Sequence, residues 1–198
     1  MIKNNFKNRL FGRTRGRSKK KFDLEKYKDL LYEHRVPKFN NSLEYILDIG
    51  TGYGETSIFL ANKFKSKIII SCEKYVDGNL NLLKKINDNN IKNIKIHPGN
   101  AYDILDKNRF KKYFNLIWIF FPDPWPKKKH HKRRLITSDF LNHLHTFLKT
   151  KGEICIVTDS ISYIRFILNN LYKSKNLYKW TNQHLCHLTI KDYYKSIK

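Results

Sequence analysis

Short apolar runs alternate with amphipathic segments along most of this 198-residue chain. The apolar runs are YILDI (45–49), KIIISC (67–72), NIKIHPG (93–99), YFNLIWIFF (113–121) and EICIVTD (153–159). Runs of this length, rich in β-branched and aromatic residues, predict buried strands, and the residues between them have helical spacing. We therefore expect an α/β fold in which a mostly parallel central sheet carries helices on both faces.

Apolar stripes and end signals delimit the expected helices. The expected segments are Asp23–His34 with Asp23 as cap and Pro37 beyond its end, Glu55–Phe64, a helix carrying Val76, Leu80, Leu83 and Asn87, a helix that Ser138 caps and Gly152 stops, and a helix with the stripe Ile161, Ile164, Leu168 and Leu171. The segment after Trp180 has no clear pattern.

The positive charge of the chain is concentrated in two stretches. The formal net charge is +23, and a bias toward Lys typical of AT-rich coding contributes to it. However, residues 1–22 contain nine Lys or Arg and residues 127–134 contain six, with no acid in either stretch. Six of the nine arginines lie there, including Arg133 and Arg134, and a guanidinium binds phosphate with a planar fork that Lys lacks. This footprint favours nucleic-acid binding.

Length and composition fit one domain. We expect residues 1–21 to form a flexible basic arm and residues 22–198 a single domain; a mitochondrial transit peptide is the alternative for the arm. No apolar run reaches the ~18 residues that a membrane helix needs. Three cysteines, far apart, are typical of reduced thiols, so we expect a cytoplasmic protein without membrane contact.

A glycine-rich turn follows the first predicted strand, in LDIGTGYGE (47–55). Gly50, Gly52 and Gly54 allow the backbone to turn sharply and approach a ligand. The dinucleotide fingerprint requires a third glycine where Glu55 stands, and an acid at the head of a helix disfavours a pyrophosphate. The pattern suits a cofactor without phosphate, such as S-adenosylmethionine (AdoMet), whose cationic methionine part Asp48 could meet directly or through water. NAD remains the alternative.

Two further polar residues follow the next two strands. Glu73 comes 19 positions after Gly54, where an acid accepts hydrogen bonds from ribose hydroxyls in doubly wound folds. Asn100 could recognise the adenine edge. A solvated strand-end acid and a turn amide are the alternatives. The glycine-rich turn, Glu73 and Asn100 together indicate a Rossmann-like class I methyltransferase domain.

The fourth predicted strand runs into FFPDPWPKKKHHKRRL (120–135). Asp123 stands at the carboxyl end of that strand, where ligands of open α/β sheets bind. Pro124 stiffens the turn, and Trp125 could stack on a nucleobase while Asp123 accepts from its N–H edge. A helix-capping Asp and a core Trp are the alternatives. His130 and His131 fit the phosphate-binding stretch better than general bases.

These motifs, with RLFGRTRGR, SCEKY and GNAYDIL, resemble the tRNA (guanine-N7-)-methyltransferase family over residues 9–160. The resemblance implies methyl transfer from AdoMet to N7 of guanine 46 in the tRNA variable loop. Carried over by position, it implies that Asp48, Glu73 and Asn100 bind AdoMet, that Asp123 is the catalytic acid beside cofactor and base, and that Lys127 and Asp159 contact the RNA. From the sequence pattern we also expect Gly50, Gly52 and Asp123 to contact the cofactor, and Trp125, Arg133, Arg134 and Thr189 to contact the RNA.

The end of the chain departs from the family pattern. HLTIKDYYKSIK contains Thr189 and Asp192 but lacks the usual Glu and final strand, so we expect a shortened or atypical last strand. HLCH (184–187) is too small a cluster to indicate a metal, and we expect no metal. The sequence leaves the choice of monomer or homodimer open. A non-catalytic RNA-binding protein, an enzyme acting on another RNA and an NAD-dependent oxidoreductase remain alternative functions.

Overall fold

The computed structural model describes residues 24–107, 112–179 and 181. Its centre is one parallel sheet in the order β3-β2-β1-β4-β5. The strands are β1 (Tyr45–Ile49), β2 (Ile68–Cys72), β3 (Ile94–His97), β4 (Phe114–Phe120) and β5 (Leu148–Val157). The predicted α/β class and all five predicted strands are confirmed.

Six α-helices connect or flank these strands in the described part of the chain. They are α1 (Leu24–Glu33), α2 (Glu55–Lys63), α3 (Val76–Asp88), α4 (Ala101–Lys107), α5 (Ser138–His145) and α6 (Ile161–Lys173), and a 3₁₀ helix spans Lys128–Arg133. The strand order reverses between β1 and β4, which lie side by side at the centre. In open α/β sheets this switch point forms the ligand crevice.

The sheet is covered on both faces. Leu47 and Ile49 of β1 belong to one buried cluster, whereas Ile46 belongs to the cluster on the opposite face. Successive side chains of a strand point to opposite faces, so a strand buried on both sides is apolar throughout. This explains why the central strands appear in the sequence as continuous apolar runs.

Gly152 does not stop a helix, as the sequence suggested. The helix ends at His145, and Gly152 lies inside β5, where its register against β4 shifts between Phe114 and Leu116. A Cβ on Gly152 would meet the carbonyl oxygen of Phe114 at 3.0 Å, so glycine is required by a close approach of two strands. The cap was also misplaced by one residue, since the Thr137 hydroxyl accepts the hydrogen bond from the Phe140 amide.

The helix predicted after the fifth strand is present as α6, but three residues of its predicted stripe are exposed and the fourth, Leu171, is partly buried against the core. Ile161 and Leu168 are 69% and 43% exposed, and the buried side carries Tyr163, Ile167 and Asn170. Two of these side chains are polar, and hydrogen bonds permit their burial. The Tyr163 hydroxyl accepts from two backbone amides of the segment before α5, and Asn170 Oδ1 accepts from the Ser138 amide.

Several predictions concern other parts of the chain. The basic arm (1–21), the cap Asp23 and residues 182–198, which include Thr189, lie outside the described residues. The first helix ends at Glu33, four residues before Pro37. None of the helices in the described ranges is long and apolar enough to cross a membrane.

Candidate active site

A cavity of about 960 Å³ opens at the carboxyl ends of the central strands. Its walls come from residues 49–50, 72–75, 99–101 and 121–126, with Arg133 and Leu135. These segments follow β1, β2, β3 and β4 in turn. Of the residues predicted from sequence, Gly50, Glu73, Asn100, Asp123, Trp125 and Arg133 are brought together here.

The glycine-rich turn depends on backbone conformations and close approaches that glycine permits. Gly50 and Gly52 have φ of 77° and 55°, in the left-handed region. A Cβ on Gly78 of α3 would stand 2.1 Å from the Gly52 carbonyl oxygen. Gly78 therefore allows α3 to support the turn. Sequence analysis did not single out Gly78, although a glycine in the first turn of a helix is a detectable signal.

Glu73 is fixed by two backbone amides. Its Oε2 accepts from the Gly52 amide and its Oε1 from the Tyr75 amide, both at 2.9 Å. A carboxylate oxygen can accept more than one hydrogen bond, so both oxygens retain capacity for hydroxyl donors. A fixed carboxylate in the cavity wall beside a glycine turn suits a ribose diol.

Asp48 lies beneath the turn rather than in the cavity wall. The side chain is 1% exposed, and its Oδ2 accepts from the hydroxyls of Thr56 and Ser57 at 2.7 Å each. Burial raises the pKa of Asp48 to about 7, against the lowering effect of these two hydrogen bonds. These two hydrogen bonds tie β1 to the start of α2, and a contact of Asp48 with AdoMet, directly or through water, stays a prediction.

Asn100 both lines the cavity and caps the helix that follows it. Its Oδ1 accepts from the Tyr102 amide at 3.0 Å, while Asp103 Oδ2 accepts from the Asn100 amide at 3.2 Å. This reciprocal pattern is a helix N-cap, which here begins α4. The turn-amide alternative is therefore correct, and recognition of adenine stays a prediction.

Asp123 is presented by a turn with two bulky residues in a rare conformation. Phe121 and Trp125 have φ of 48° and 45°, in the left-handed region that costs a residue with a Cβ about 1–2 kcal/mol. Asp123 is exposed and lines the cavity. It does not cap the 3₁₀ helix, whose N-cap is Lys127. Local strain of this kind clusters at functional sites.

Trp125 lines the cavity and is not a core residue. The Arg133 guanidinium carbon lies 5.0 Å from the centre of a Trp125 ring, a cation–π distance, and His130 meets the indole edge-on at 5.8 Å. Burial, followed by the charges of Arg133, Lys127 and Lys132, lowers the pKa of His130. His130 is thus favoured in its neutral form at pH 7.

Arg134 does not lie on the surface, contrary to the expectation of an RNA contact. It is 4% exposed. Its Nε donates to the Pro124 carbonyl at 2.8 Å, and its two terminal nitrogens donate to the carbonyl and the hydroxyl of Ser162 at 3.2 and 3.0 Å. With its donors directed into the protein, Arg134 has a structural place beside Asp123.

Two further predicted RNA contacts, Lys127 and Asp159, do not line the cavity. Lys127 is exposed directly before the 3₁₀ helix, which also exposes Lys128, Lys129 and Lys132. Asp159 is exposed just beyond β5, at the same edge of the sheet as Asp123. The cationic side chains therefore begin where the cavity wall ends, and RNA binding by these residues stays a prediction.

Comparison with other proteins gives consistent matches. A family model described as "Putative methyltransferase" matches residues 42–194. The chain is 36% identical over 148 residues to a tRNA (guanine-N(7)-)-methyltransferase of Buchnera aphidicola subsp. Schizaphis graminum, covering 75% of this chain and 62% of that protein. It is 35% identical to the enzymes of that name from Nitrosomonas eutropha and Wolbachia pipientis wMel, covering 76% and 78% of this chain and 72% and 70% of theirs.

Solved structures share the fold at low sequence identity. A precorrin-6y C5,15-methyltransferase from Geobacter metallireducens is 14% identical with a TM-score of 0.52, covering 75% of this chain and 69% of that one. An rRNA methylase from Streptococcus thermophilus is 12% identical with a TM-score of 0.50, covering 85% and 91%. These likenesses establish a Rossmann-like methyltransferase fold. The sequence relatives and the family model show that this chain belongs to the tRNA (guanine-N7-)-methyltransferase family.

Proposed function

We propose that the chain transfers a methyl group from AdoMet to N7 of guanine 46 in tRNA. The observation that carries this proposal is the shared cavity of Glu73, Asp123 and Trp125, which borders the basic 3₁₀ helix. Glu73 suits a cofactor, Asp123 and Trp125 suit a base, and the cationic helix suits the RNA backbone. Methylation of a base in RNA requires these three parts to be adjacent. A tRNA substrate also favours the cytoplasm as the compartment.

The cavity fits AdoMet by the chemistry of its walls. Glu73 would accept from the ribose hydroxyls, Gly50 would allow close approach of the methionine part, and Asn100 would meet the adenine edge. Glu55 pairs with Lys85 at the head of α2, where a dinucleotide fingerprint has glycine. When bound, AdoMet supplies an electrophilic methyl group on a sulfonium.

Asp123 would act on charge rather than on a proton. Guanine N7 has a free lone pair, so no base need remove a proton before attack. The guanine becomes cationic as it is methylated, and an adjacent carboxylate favours that change. Trp125 would stack on the base and limit its orientations, because alignment of the two reactants supplies most of the catalysis.

The cationic side chains would hold the RNA backbone. Lys127 and Arg133 would bind phosphates, which supplies affinity and register rather than sequence recognition. Asp159, exposed just beyond β5, and Thr189 would also contact the RNA. Selection of guanine 46 then depends on tRNA shape together with the base contacts of Asp123.

Incubation of the protein with an unmodified tRNA transcript and AdoMet tests this proposal. Nucleoside mass spectrometry should detect 7-methylguanosine, and a matched transcript with adenine at position 46 should give none. Product from the altered transcript, or from another RNA alone, would contradict the assigned target. No AdoMet binding in calorimetry would instead indicate a non-catalytic RNA-binding protein.

Asp123→Asn separates charge from shape at the proposed catalytic acid. We expect kcat to fall about 10²–10³-fold, because the neutral amide cannot stabilise a developing cation. Glu153→Gln, an exposed acid on β5, is the matched control and should keep wild-type turnover. Near-normal turnover of Asp123→Asn with unchanged AdoMet affinity would rule out the charge role.

A further inference from the structure

Arg134 is the buried member of a cationic stretch whose lysines are exposed. It is the C-cap of the 3₁₀ helix and is 4% exposed, whereas Lys132, two residues earlier, is exposed. Within the described residues, no acidic side chain forms a salt bridge with it. A buried charge without a counter-ion is costly unless its donors are satisfied.

Carbonyl, hydroxyl and aromatic groups take the place of that counter-ion. Pro124 and Ser162 provide three acceptors at 2.8–3.2 Å. The guanidinium carbon also lies 5.1 Å from the ring centres of both Tyr163 and Phe166. A planar group that donates along its edges and stacks through its face uses properties that a lysine ammonium lacks.

These contacts join two segments that are far apart in the sequence. Pro124 directly follows Asp123, and Ser162 lies in the first turn of α6, three residues after Asp159. The turn 121–126 contains two non-glycine residues with positive φ, so contacts from outside the turn are needed to hold its shape. Arg134 supplies such a contact at the carbonyl next to Asp123.

We propose that Arg134 is a positioning residue, which fixes Asp123 relative to the β5–α6 segment carrying Asp159. This inference rests on the proposed function, since it gives the carboxylate of Asp123 its place in methyl transfer. Arg134 acts through the backbone and touches neither cofactor nor RNA. Its neighbour Arg133, beside Trp125, has the phosphate-binding role.

Substitution of the two neighbouring arginines separates these roles. With Arg134→Lys we expect kcat to fall about 10- to 100-fold, the cost of a misplaced catalytic group, with tRNA KM and the salt dependence of binding close to wild type. With Arg133→Gln we expect the opposite: a higher KM and a shallower salt dependence. Wild-type kcat for Arg134→Lys, or a raised KM alone, would overturn the proposal.

Amide hydrogen exchange provides a readout that is independent of activity. In Arg134→Lys, exchange should accelerate at Asp123 and Trp125 and also at 160–163, while the amides of β1 and β2 stay protected. Acceleration throughout the sheet would show a general loss of stability and overturn the specific role. If wild-type protein makes no 7-methylguanosine, the proposed function fails, but this exchange pattern still tests the link between the segments.

Ser162→Ala carries the test if Arg134→Lys does not fold. This change removes one acceptor and leaves the Ser162 carbonyl, so the protein should fold and lose only part of the link. We expect faster exchange at Asp123 and Trp125, although the substitution is in α6, together with a small decrease in kcat. Faster exchange confined to 160–163 would show that the two segments are not coupled through Arg134.

Discussion

Single residues at this site have roles that depend on burial as much as on residue type. Glu73 and Asp123 were identified from sequence because each acid follows a strand that the apolar pattern predicts. Arg134 was misassigned because a cation within a charged run gives no sequence signal of which side chains turn inward. Its burial depends on the acceptors of Pro124 and Ser162 and on the rings of Tyr163 and Phe166, and three of these four residues lie far along the chain.

Asp48 should make the stability of the fold depend on pH. Its pKa is raised from 3.8 in the ordinary carboxyl to about 7 in the folded protein, so the folded state binds the proton more tightly. The free energy of unfolding therefore falls as the pH rises from about 4 to about 7, by on the order of 1.4 kcal/mol per pKa unit. Above that window the contribution is constant.

Asp48→Asn tests this dependence. The amide cannot ionise but can still accept from Thr56 and Ser57, so urea unfolding should show a smaller change between pH 5 and pH 7.5 than wild type does. The exposed Asp88→Asn on α3 is the control and should keep the wild-type profile. Identical pH profiles for Asp48→Asn and wild type would show that Asp48 does not titrate in this range.

At the scale of elements, periodicity predicted where helices and strands occur better than it predicted their faces and ends. The stripe of α6 was misassigned because Tyr163 and Asn170, which bury through hydrogen bonds, do not count as apolar in a pattern. Gly152 was misassigned because a glycine at a strand irregularity resembles one that ends a helix. Both errors arise from contacts with distant segments, which local sequence does not encode.

The contact between α3 and the glycine turn predicts the effect of Gly78→Ala. The added methyl group would meet the Gly52 carbonyl, and overpacking of this kind costs about 1–3 kcal/mol. Because the displaced carbonyl belongs to the turn, we expect weaker AdoMet binding in calorimetry together with a lower Tm. Lys84→Ala, at an exposed position of the same helix, should change neither. Unaltered AdoMet affinity in a folded Gly78→Ala protein would contradict support of the turn by α3.

At the scale of the whole molecule, the parallel sheet and the location of the site follow from a few sequence features. Alternation of strands and helices predicted the parallel sheet, and such sheets bind ligands at the carboxyl ends of their strands. The strand-end positions of Gly50, Glu73, Asn100 and Asp123 then predicted one cavity. The position of the basic stretch 127–134 beside the cavity could be predicted for the same reason, because it follows the fourth strand. The basic arm and Thr189 lie outside the described residues.

The uneven distribution of positive charge predicts that the position of the cationic side chains, rather than the total charge, determines RNA binding. Lys128→Gln/Lys129→Gln removes two charges beside the cavity, and Lys65→Gln/Lys92→Gln removes two at the opposite edge of the sheet, in the turns before β2 and β3. The slope of log affinity for tRNA against log salt should become shallower by about 1–2 for the first pair and stay unchanged for the second. Equal effects of both pairs would indicate nonspecific attraction by the net charge.

The conformations of Phe121 and Trp125 have a consequence for engineering. Glycine adopts a positive φ without steric penalty, so Phe121→Gly would relieve local strain, but it would also free the turn to explore many other shapes. A screen that selects variants by thermal tolerance alone would therefore accept substitutions in this turn that lower turnover. Natural variation at these two positions should follow the demands of the substrate rather than those of the fold.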